Sequence, residues 1–221
     1  MKSEQHPLNG FFVTGSDTGV GKTWVSCQII KQLAPTHSTL KVRKPVESGC
    51  DTDENKQLLP ADGIALFNAN NQQENLITVT PFRYSAATSP DRAAQLENKS
   101  IYLKQLKQAV SSNIQMEDLL LVEGAGGFYS PIAEDGLNAD LARLLGLKII
   151  IVIEDRLGAI NQSLLTIKAV ESEGLEIKAV ILNQLCHLKD SRLDNLSDLK
   201  KRTAYPVYHC DYMGELDLVD L

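Results

Sequence analysis

The sequence has few cysteines, few aromatic residues and no long hydrophobic run. Its four cysteines form no CxxC pair and its four histidines are scattered, so neither a structural zinc site nor a disulfide framework is expected. The longest apolar run, residues 149–153, is far too short to span a bilayer, and no signal-like apolar segment follows the first residues. We therefore expect a cytoplasmic protein with reduced thiols and no membrane partner.

Positive charge is also scarce. Lysine and arginine total 22 against 28 aspartate and glutamate, which leaves a net charge of -6 at pH 7. This balance argues against a nucleic-acid partner, because such proteins carry a basic surface. An acidic chain can still bind a small anion where a few lysines and helix N-termini converge.

The chain alternates short apolar runs with helix-length amphipathic segments. The predicted strands are residues 10–14, 40–46, 76–80, 118–123, 148–153, 177–183 and 206–210. The predicted helices are residues 24–33, 57–68, 101–114, 137–145, 160–173 and 190–202, with a long connection over 81–97. Continuous apolar strands separated by helices predict a mainly parallel central sheet that is covered on both faces. With no repeat, linker or change in composition, the pattern favours one doubly wound α/β domain over residues 1–221.

A glycine-rich loop with the sequence GSDTGVGKT, residues 15–23, follows the first predicted strand and opens the first helix. This is the context of the phosphate-binding loop of P-loop NTPases, in which backbone N–H groups and a helix N-terminus hold phosphates. Lys22 would reach the β and γ phosphates of ATP, and the Thr23 hydroxyl would bind Mg²⁺. Five residues rather than the usual four separate Gly15 from Gly21, so Ser16 takes the loop's first standard position. The alternative is a glycine-rich turn that arose by chance.

Two further strand ends carry charged residues, and ligands bind at the carboxyl ends of parallel strands. Lys44 opens the segment KPVESG and would point a cation into the same crevice as Lys22, although a strand-end lysine is often simply solvated. Glu123 ends an apolar run and opens the segment EGAGG, where P-loop enzymes place a carboxylate for Mg²⁺. Its alternative is an incidental acid in a tight turn.

Two other polar residues are ambiguous from the sequence. Asp62 follows Pro60 near the start of a predicted helix, where capping the helix fits as well as binding metal. Asn183 ends a predicted strand and either contacts a base edge or begins a turn.

Four segments occur in an order that resembles the dethiobiotin synthetase family: residues 16–23 (SDTGVGKT), 44–49 (KPVESG), 123–127 (EGAGG) and 157–161 (LGAIN). The resemblance covers about residues 11–183. It implies an ATP- and Mg²⁺-dependent ligase that converts 7,8-diaminopelargonate and CO₂ into dethiobiotin, through a carbamate and a carbamic–phosphoric anhydride, with release of ADP and phosphate. It also implies a homodimer with interfacial active sites.

The resemblance assigns roles residue by residue. Lys44 and Lys22 match catalytic residues, and Thr23, Asp62 and Glu123 match the residues around Mg²⁺. The positions that match nucleotide contacts are Gly19, Val20, Gly21, Lys22, Thr23, Trp24, Asp62, Glu123, Gly124, Ala125, Gly126 and Asn183. The positions that match substrate contacts are Thr18 and Ser48, with Gly158, Ala159, Ile160 and Asn161 serving the other subunit's site.

The chain departs from the family pattern at several positions. Glu47 replaces a small residue and adds an acid near the pocket. Residues 89–91, Ser-Pro-Asp, lack the histidine of a Ser-Pro-His stretch. Asn195 or a neighbour stands roughly where some members have a substrate-contacting tyrosine, and Asp211 falls near a position that is often proline.

Two other functions compete with the synthetase. An ATP-dependent amidotransferase synthetase would need a glutaminase domain, for which 221 residues leave no room. A P-loop switch ATPase would carry a second lysine inside the loop, where this chain has Ser16, Asp17 and Thr18. A membrane-binding switch would also need a basic amphipathic tail, whereas this chain ends in an acidic one.

Overall fold

The computed structural model describes residues 8–37, 39–187 and 192–216. Its strands, in chain order, are β1 (Gly10–Gly15), β2 (Leu40–Arg43), β3 (Val46–Ser48), β4 (Asp51–Thr52), β5 (Leu58–Leu59), β6 (Phe82–Tyr84), β7 (Leu119–Gly127), β8 (Pro131–Ala133), β9 (Gly136–Leu137), β10 (Lys148–Glu154), β11 (Ile177–Asn183) and β12 (Val207–Cys210). Its helices are α1 (Lys22–Leu33), α2 (Ala61–Ala69), α3 (Leu76–Val79), α4 (Pro90–Leu96), α5 (Leu103–Val110), α6 (Asn138–Leu145), α7 (Ala159–Ser172) and α8 (Asn195–Lys200). Within these described ranges, no helix has the length and apolar character needed to cross a membrane.

Six strands form a central sheet in the order β12-β11-β10-β1-β7-β2, and every pair in it is parallel. This confirms the predicted α/β fold class. Strand β7 is inserted between β1 and β2, with Val13 of β1 beside Glu123 of β7. The strand order therefore brings the ends of three separate segments to one edge of the sheet, next to the glycine-rich loop.

Side chains alternate between the two faces of the sheet, as the strand period of two requires. Phe11 and Val13 point to the face that is covered by α1 and α2. Phe12 points to the opposite face, with residues of α5, α6 and α7. The near-continuous apolar runs of β7 and β10 follow from this, because both of their faces are buried.

Two predicted strands were wrong in part or in whole. Residues 76–79 form the one-turn helix α3 rather than a strand, because the β-branched residues suit either structure and the turn packs on α2 and β2. Residues 40–46 do not form one strand. β2 ends at Arg43, the Lys44 N–H donates to the Val79 carbonyl at 2.8 Å, and Pro45 has no N–H to extend the ladder. The chain then continues as β3 and pairs with β6.

Other boundaries also differ from the prediction. The helix predicted over residues 57–68 begins at Ala61. Pro60 disfavours helical geometry at the residue before it, Leu59, which belongs to β5 instead. The predicted connection over 81–97 contains β6 and α4, and the hairpin of β8 and β9 was not predicted. The helices predicted over 101–114 and 190–202 are shorter, and residues 190–191 lie outside the described residues.

Candidate active site

A cavity of about 770 Å³ opens at the carboxyl ends of β1, β2 and β7. Both the glycine-rich loop and residues 87–90 contribute to its lining. Its lining residues are Thr18, Gly19, Gly21, Lys22, Thr23, Lys44, Glu47, Ser48, Asp62, Ala87, Thr88, Ser89, Pro90, Ala125, Gly126, Ser130 and Pro131. The cavity thus joins all three charged segments that the sequence singled out.

The glycine-rich loop is held in place by contacts with the rest of the chain. Its Ser16 N–H donates to the Val152 carbonyl at 3.1 Å, and the Lys22 ammonium donates to the Asp17 carbonyl at 3.0 Å. Gly21 has a φ of 82° and lies against the amide of Asn183, so this position excludes a Cβ on both conformational and steric grounds. The loop is therefore preformed around the lysine.

Burial, with the neighbouring cation of Lys44, lowers the pKa of Lys22 to about 8. An incoming anion stabilises the charged form of a lysine that is poorly solvated and repelled by another cation. The electrostatics of the loop thus favour a phosphate group.

Lys44 is buried, with 3% of its surface exposed. Its ammonium donates to Glu123 Oε1 at 2.7 Å and to the Gly124 carbonyl at 3.1 Å, and lies 2.9 Å from Asp62 Oδ2. The structure therefore rules out a solvated strand-end lysine. The Lys44 ammonium connects the residue after β2 with the middle of β7 and the first turn of α2.

The charges in this cluster stabilise one another. Burial by itself would lower the pKa of Lys44, but Glu123 and Asp62 raise it above its ordinary value. Burial would raise the pKa of Asp62, but Lys44 and Lys22 lower it. Lys44 therefore stays cationic and Asp62 anionic at neutral pH.

The donor set around Lys44 fits Mg²⁺. The Thr23 hydroxyl donates to Glu123 Oε1 at 2.8 Å, and the second carboxylate oxygen of Glu123 is buried without a hydrogen-bond partner. The described residues contain no group of three His, Cys, Asp or Glu that could hold a metal ion. Two carboxylates and one hydroxyl are nevertheless the hard oxygen ligands that Mg²⁺ takes together with phosphates and water.

Asp62 does not cap its helix. Pro60 occupies the N-cap position of α2, and Asp62 is the second residue of the helix. The N–H groups of Asp62 and Gly63 donate instead to the Glu47 carboxylate at 3.0 and 2.9 Å. Burial raises the pKa of Glu47, although these two N–H groups favour its charged form.

The other residues of the predicted nucleotide site divide into two groups. Gly19, Gly21, Ala125 and Gly126 line the cavity, as do the predicted substrate contacts Thr18 and Ser48. The remaining residues are absent from the cavity lining: Val20, Trp24, Glu123, Gly124 and Asn183.

Asn183 supports the loop in this structure. Its amide donates to the Val20 carbonyl at 2.9 Å, while its Oδ1 is buried without a hydrogen-bond partner. The residue thus has a structural contact with the loop and one acceptor left over. Its predicted contact with a base stays a prediction.

Gly158, Ala159, Ile160 and Asn161 lie at the start of α7 and are not part of the cavity lining. Gly158 and Asn161 are exposed, whereas Ala159 is buried. One chain therefore does not bring this segment to its own cavity, and its service to another subunit's site stays a prediction.

Several residues that line the cavity were not predicted from the sequence. Ala87 and Thr88 form part of the wall, and Ser130 and Pro131 form another part. A serine followed by proline is a helix-start signal that could have placed Ser89 and α4, since Ser89 is the N-cap and Pro90 the first residue.

Two of the departures from the family pattern are engaged elsewhere. Asn195 is mostly buried, and its amide donates to Asp155 at 2.7 Å and to the Arg156 carbonyl at 3.1 Å. The Asp211 Oδ1 atom lies 3.2 Å from His209 Nδ1. Neither residue lines the cavity.

Comparison with known proteins agrees with this site. Residues 9–210 match the family described as AAA domain. The chain is 38% identical over 198 residues to an ATP-dependent dethiobiotin synthetase BioD of Ruthia magnifica subsp. Calyptogena magnifica, covering 89% of this chain and 88% of that protein. It is 33% identical over 183 residues to an ATP-dependent dethiobiotin synthetase BioD of Methanocaldococcus jannaschii, covering 81% of each.

Solved structures extend the fold comparison. A ParA family ATPase from Chlorobium tepidum TLS superposes with a TM-score of 0.52 at 14% identity, covering 91% of this chain and 84% of that one. The signal recognition particle receptor FtsY from Elizabethkingia anophelis superposes with a TM-score of 0.52 at 15% identity, covering 98% of this chain and 63% of that one. These likenesses establish the P-loop NTPase fold. The sequence relatives show that the chain belongs to the dethiobiotin synthetase family, whose members are ATP-dependent ligases of biotin biosynthesis.

Proposed function

We propose that the chain, over residues 1–221, is a cytoplasmic, homodimeric and Mg²⁺-dependent dethiobiotin synthetase. It would form the ureido ring of dethiobiotin from 7,8-diaminopelargonate and CO₂ with ATP as co-substrate. The observation that carries the proposal is the buried Lys44, which bonds to Glu123 and Asp62 and lines the same cavity as the phosphate loop.

The residues fit a reaction that needs positioning and charge rather than a covalent enzyme intermediate. One amine of the diamine combines with CO₂ to give a carbamate and a proton. The carbamate oxygen attacks the γ-phosphorus of ATP and ADP leaves. The second amine then attacks the carbamoyl carbon, closes the five-membered ring and releases phosphate. The Ser48 hydroxyl donates to the Thr88 carbonyl rather than to a basic side chain, so this bond does not activate it as a nucleophile.

Each lysine has a distinct task in this scheme. Lys22 and the loop N–H groups would hold the β and γ phosphates, while Lys44, which lines the same cavity, would neutralise charge on the transferring group. Mg²⁺ held by Thr23, Asp62 and Glu123 would supply further positive charge at the phosphate oxygens. Thr18 and Ser48 contact the diamine, so that its carbamate lies in line with the γ-phosphorus.

Exposed residues on and just before α7 support a homodimer. Leu157, just before α7, and Leu165, in the middle of that helix, are exposed, as is Asn161 in its first turn. Such apolar residues on an outer helix are suited to a two-fold contact, which would carry the segment of residues 158–161 to the partner's cavity.

The test is ATP turnover with and without the diamine and bicarbonate. We expect hydrolysis to depend strongly on both, with dethiobiotin and ADP formed in equal amounts. A pelargonate with one amine is the control, because it can form a carbamate but cannot close the ring. Rapid ATP hydrolysis at the same rate with and without the diamine would instead favour the switch ATPase.

A further inference from the structure

The first turn of α2 carries Asp62 but lacks a local cap. Pro60 at the N-cap has no side-chain acceptor, and no side chain at that position bonds to the helix. An N-cap side chain normally accepts from the second or third N–H of the helix. Here those two N–H groups belong to Asp62 and Gly63, and both donate to Glu47.

Glu47 is well placed to hold this turn. It lies at the centre of β3, whose residues pair with β6, and only 7% of its surface is exposed. Both of its carboxylate oxygens are engaged, Oε1 by Asp62 and Oε2 by Gly63. A carboxylate that accepts from backbone N–H groups at a helix N-terminus makes charge-assisted bonds and also faces the positive end of the helix dipole.

Packing on the other side limits how the turn can move. A Cβ on Gly63 would collide with the Thr80 side chain, so this turn sits tightly against the residue that follows α3. The Lys44 N–H is bonded to Val79 in the same region. One short segment, residues 44–47, therefore carries both Lys44 and the carboxylate that fixes the helix turn of its counterion, Asp62.

From this geometry we infer that Glu47 is a positioning residue, which caps α2 from a neighbouring strand and thereby holds Asp62 beside Lys44 and the metal position. The acid that departs from the family pattern thus replaces a cap that the helix itself lacks. The inference rests on the proposed function for the role of Asp62.

The experiment compares the Glu47→Ala variant with the wild-type protein by two measurements that need no substrate turnover. One is the Tm of the ligand-free protein, and the other is the affinity for Mn²⁺ in the presence of ADP, measured by electron paramagnetic resonance. We expect the Tm to fall by about 2–4 °C, as for loss of a helix cap. We expect the Mn²⁺ affinity to fall about tenfold or more, as when a group that orients a metal ligand is removed. Glu47→Gln keeps one acceptor, so its Tm and its Mn²⁺ affinity should both fall less than those of Glu47→Ala.

Asp135→Ala is the matched control. Asp135 is another carboxylate that caps a helix from outside it, since it accepts from the first N–H of α5, at Leu103, at 2.7 Å. It does not line the cavity. Its removal should lower the Tm to a similar extent and leave the Mn²⁺ affinity unchanged.

Two combinations test whether Glu47 acts through the helix and through Asp62. Adding Pro60→Ser to Glu47→Ala restores a local N-cap acceptor and should recover part of both the Tm and the Mn²⁺ affinity. Adding Glu47→Ala to Asp62→Asn should cost little further affinity, because the ligand that Glu47 positions has already been weakened.

Either of two results would overturn the inference. If Glu47→Ala lowers the Tm as Asp135→Ala does but leaves the Mn²⁺ affinity unchanged, Glu47 is a cap without a positioning role. If the loss of Mn²⁺ affinity caused by Glu47→Ala is equally large in the Asp62→Asn background, Glu47 affects the metal ion by a route other than Asp62. A wild-type protein that makes no dethiobiotin would contradict the proposed function alone, because neither readout uses the diamine.

Discussion

The ammonium of Lys44 lies 2.7 Å from the carboxylate of Glu123, although 79 residues separate the two in the chain. Both are almost fully buried, and they lie on or next to paired parallel strands, since Lys44 follows the last residue of β2 and Glu123 lies within β7. A buried ion pair of this kind is weak evidence for stability, because the loss of hydration offsets much of the attraction. The place of Lys44 in the cavity lining gives the pair a functional explanation instead.

Lys44→Ala should lower kcat by about 10²–10³, the scale for losing one preorganised electrostatic contact in a transition state. ATP affinity should change much less, because Lys22 and the loop remain. Steady-state kinetics with ATP and with the diamine separate the two effects. Lys41→Ala, on β2 just before Lys44 but outside the cavity lining, is the control and should behave as wild type. Near-normal turnover of Lys44→Ala would remove this lysine from the mechanism.

Glu123→Gln and Asp62→Asn keep the shape of each side chain and remove its charge. Each should raise the Mg²⁺ concentration needed for half-maximal activity, because a neutral amide is a weaker ligand for a hard cation. A Mg²⁺ titration of turnover at saturating ATP measures this shift. Asp140→Asn offers a comparison, since that carboxylate pairs with Arg143 away from the cavity. An unchanged Mg²⁺ requirement in both variants would exclude these carboxylates as ligands.

ATP affinity measured without Mg²⁺ should fall as the pH rises through about 8. The Lys22 pKa is lowered to about 8, so the ammonium that attracts phosphate is present below that pH and is lost above it. Bound phosphate favours the charged lysine, so the decline should approach tenfold per pH unit above 8. Isothermal titration calorimetry between pH 7 and 9.5 measures the slope. Lys22→Arg keeps its charge throughout this range and should flatten the profile.

Mixed dimers test whether two subunits share each site. Lys44→Ala should impair turnover and Asn161→Ala should mainly weaken diamine affinity. When the two variants are unfolded and refolded together in equal amounts, about a quarter of all sites should be wild type if the interface is two-fold and the sites are composite. Activity at low diamine concentration should rise toward that fraction. If each site lies within one subunit, activity will stay at the average of the two variants.

The phosphate loop and most of the central sheet could be predicted from the sequence, because their signals are local. Gly21, Lys22 and Thr23 are adjacent, and their place between a strand and a helix already specifies a loop that faces phosphate. The apolar runs of β7, β10 and β11 likewise identify strands buried on both faces. Residues 76–80 misled the prediction, because a short β-branched run fits a strand or a single helical turn equally well.

Tertiary structure decided which of these segments meet. No local pattern states that β7 lies between β1 and β2, yet this order brings Glu123 to Lys44 and Thr23. The same holds for Glu47, which in the sequence is only an extra acid and in the fold accepts from the first turn of α2. Local structure follows from neighbours along the chain, whereas these contacts come from the burial of whole strands and helices against one another, which no short segment encodes by itself.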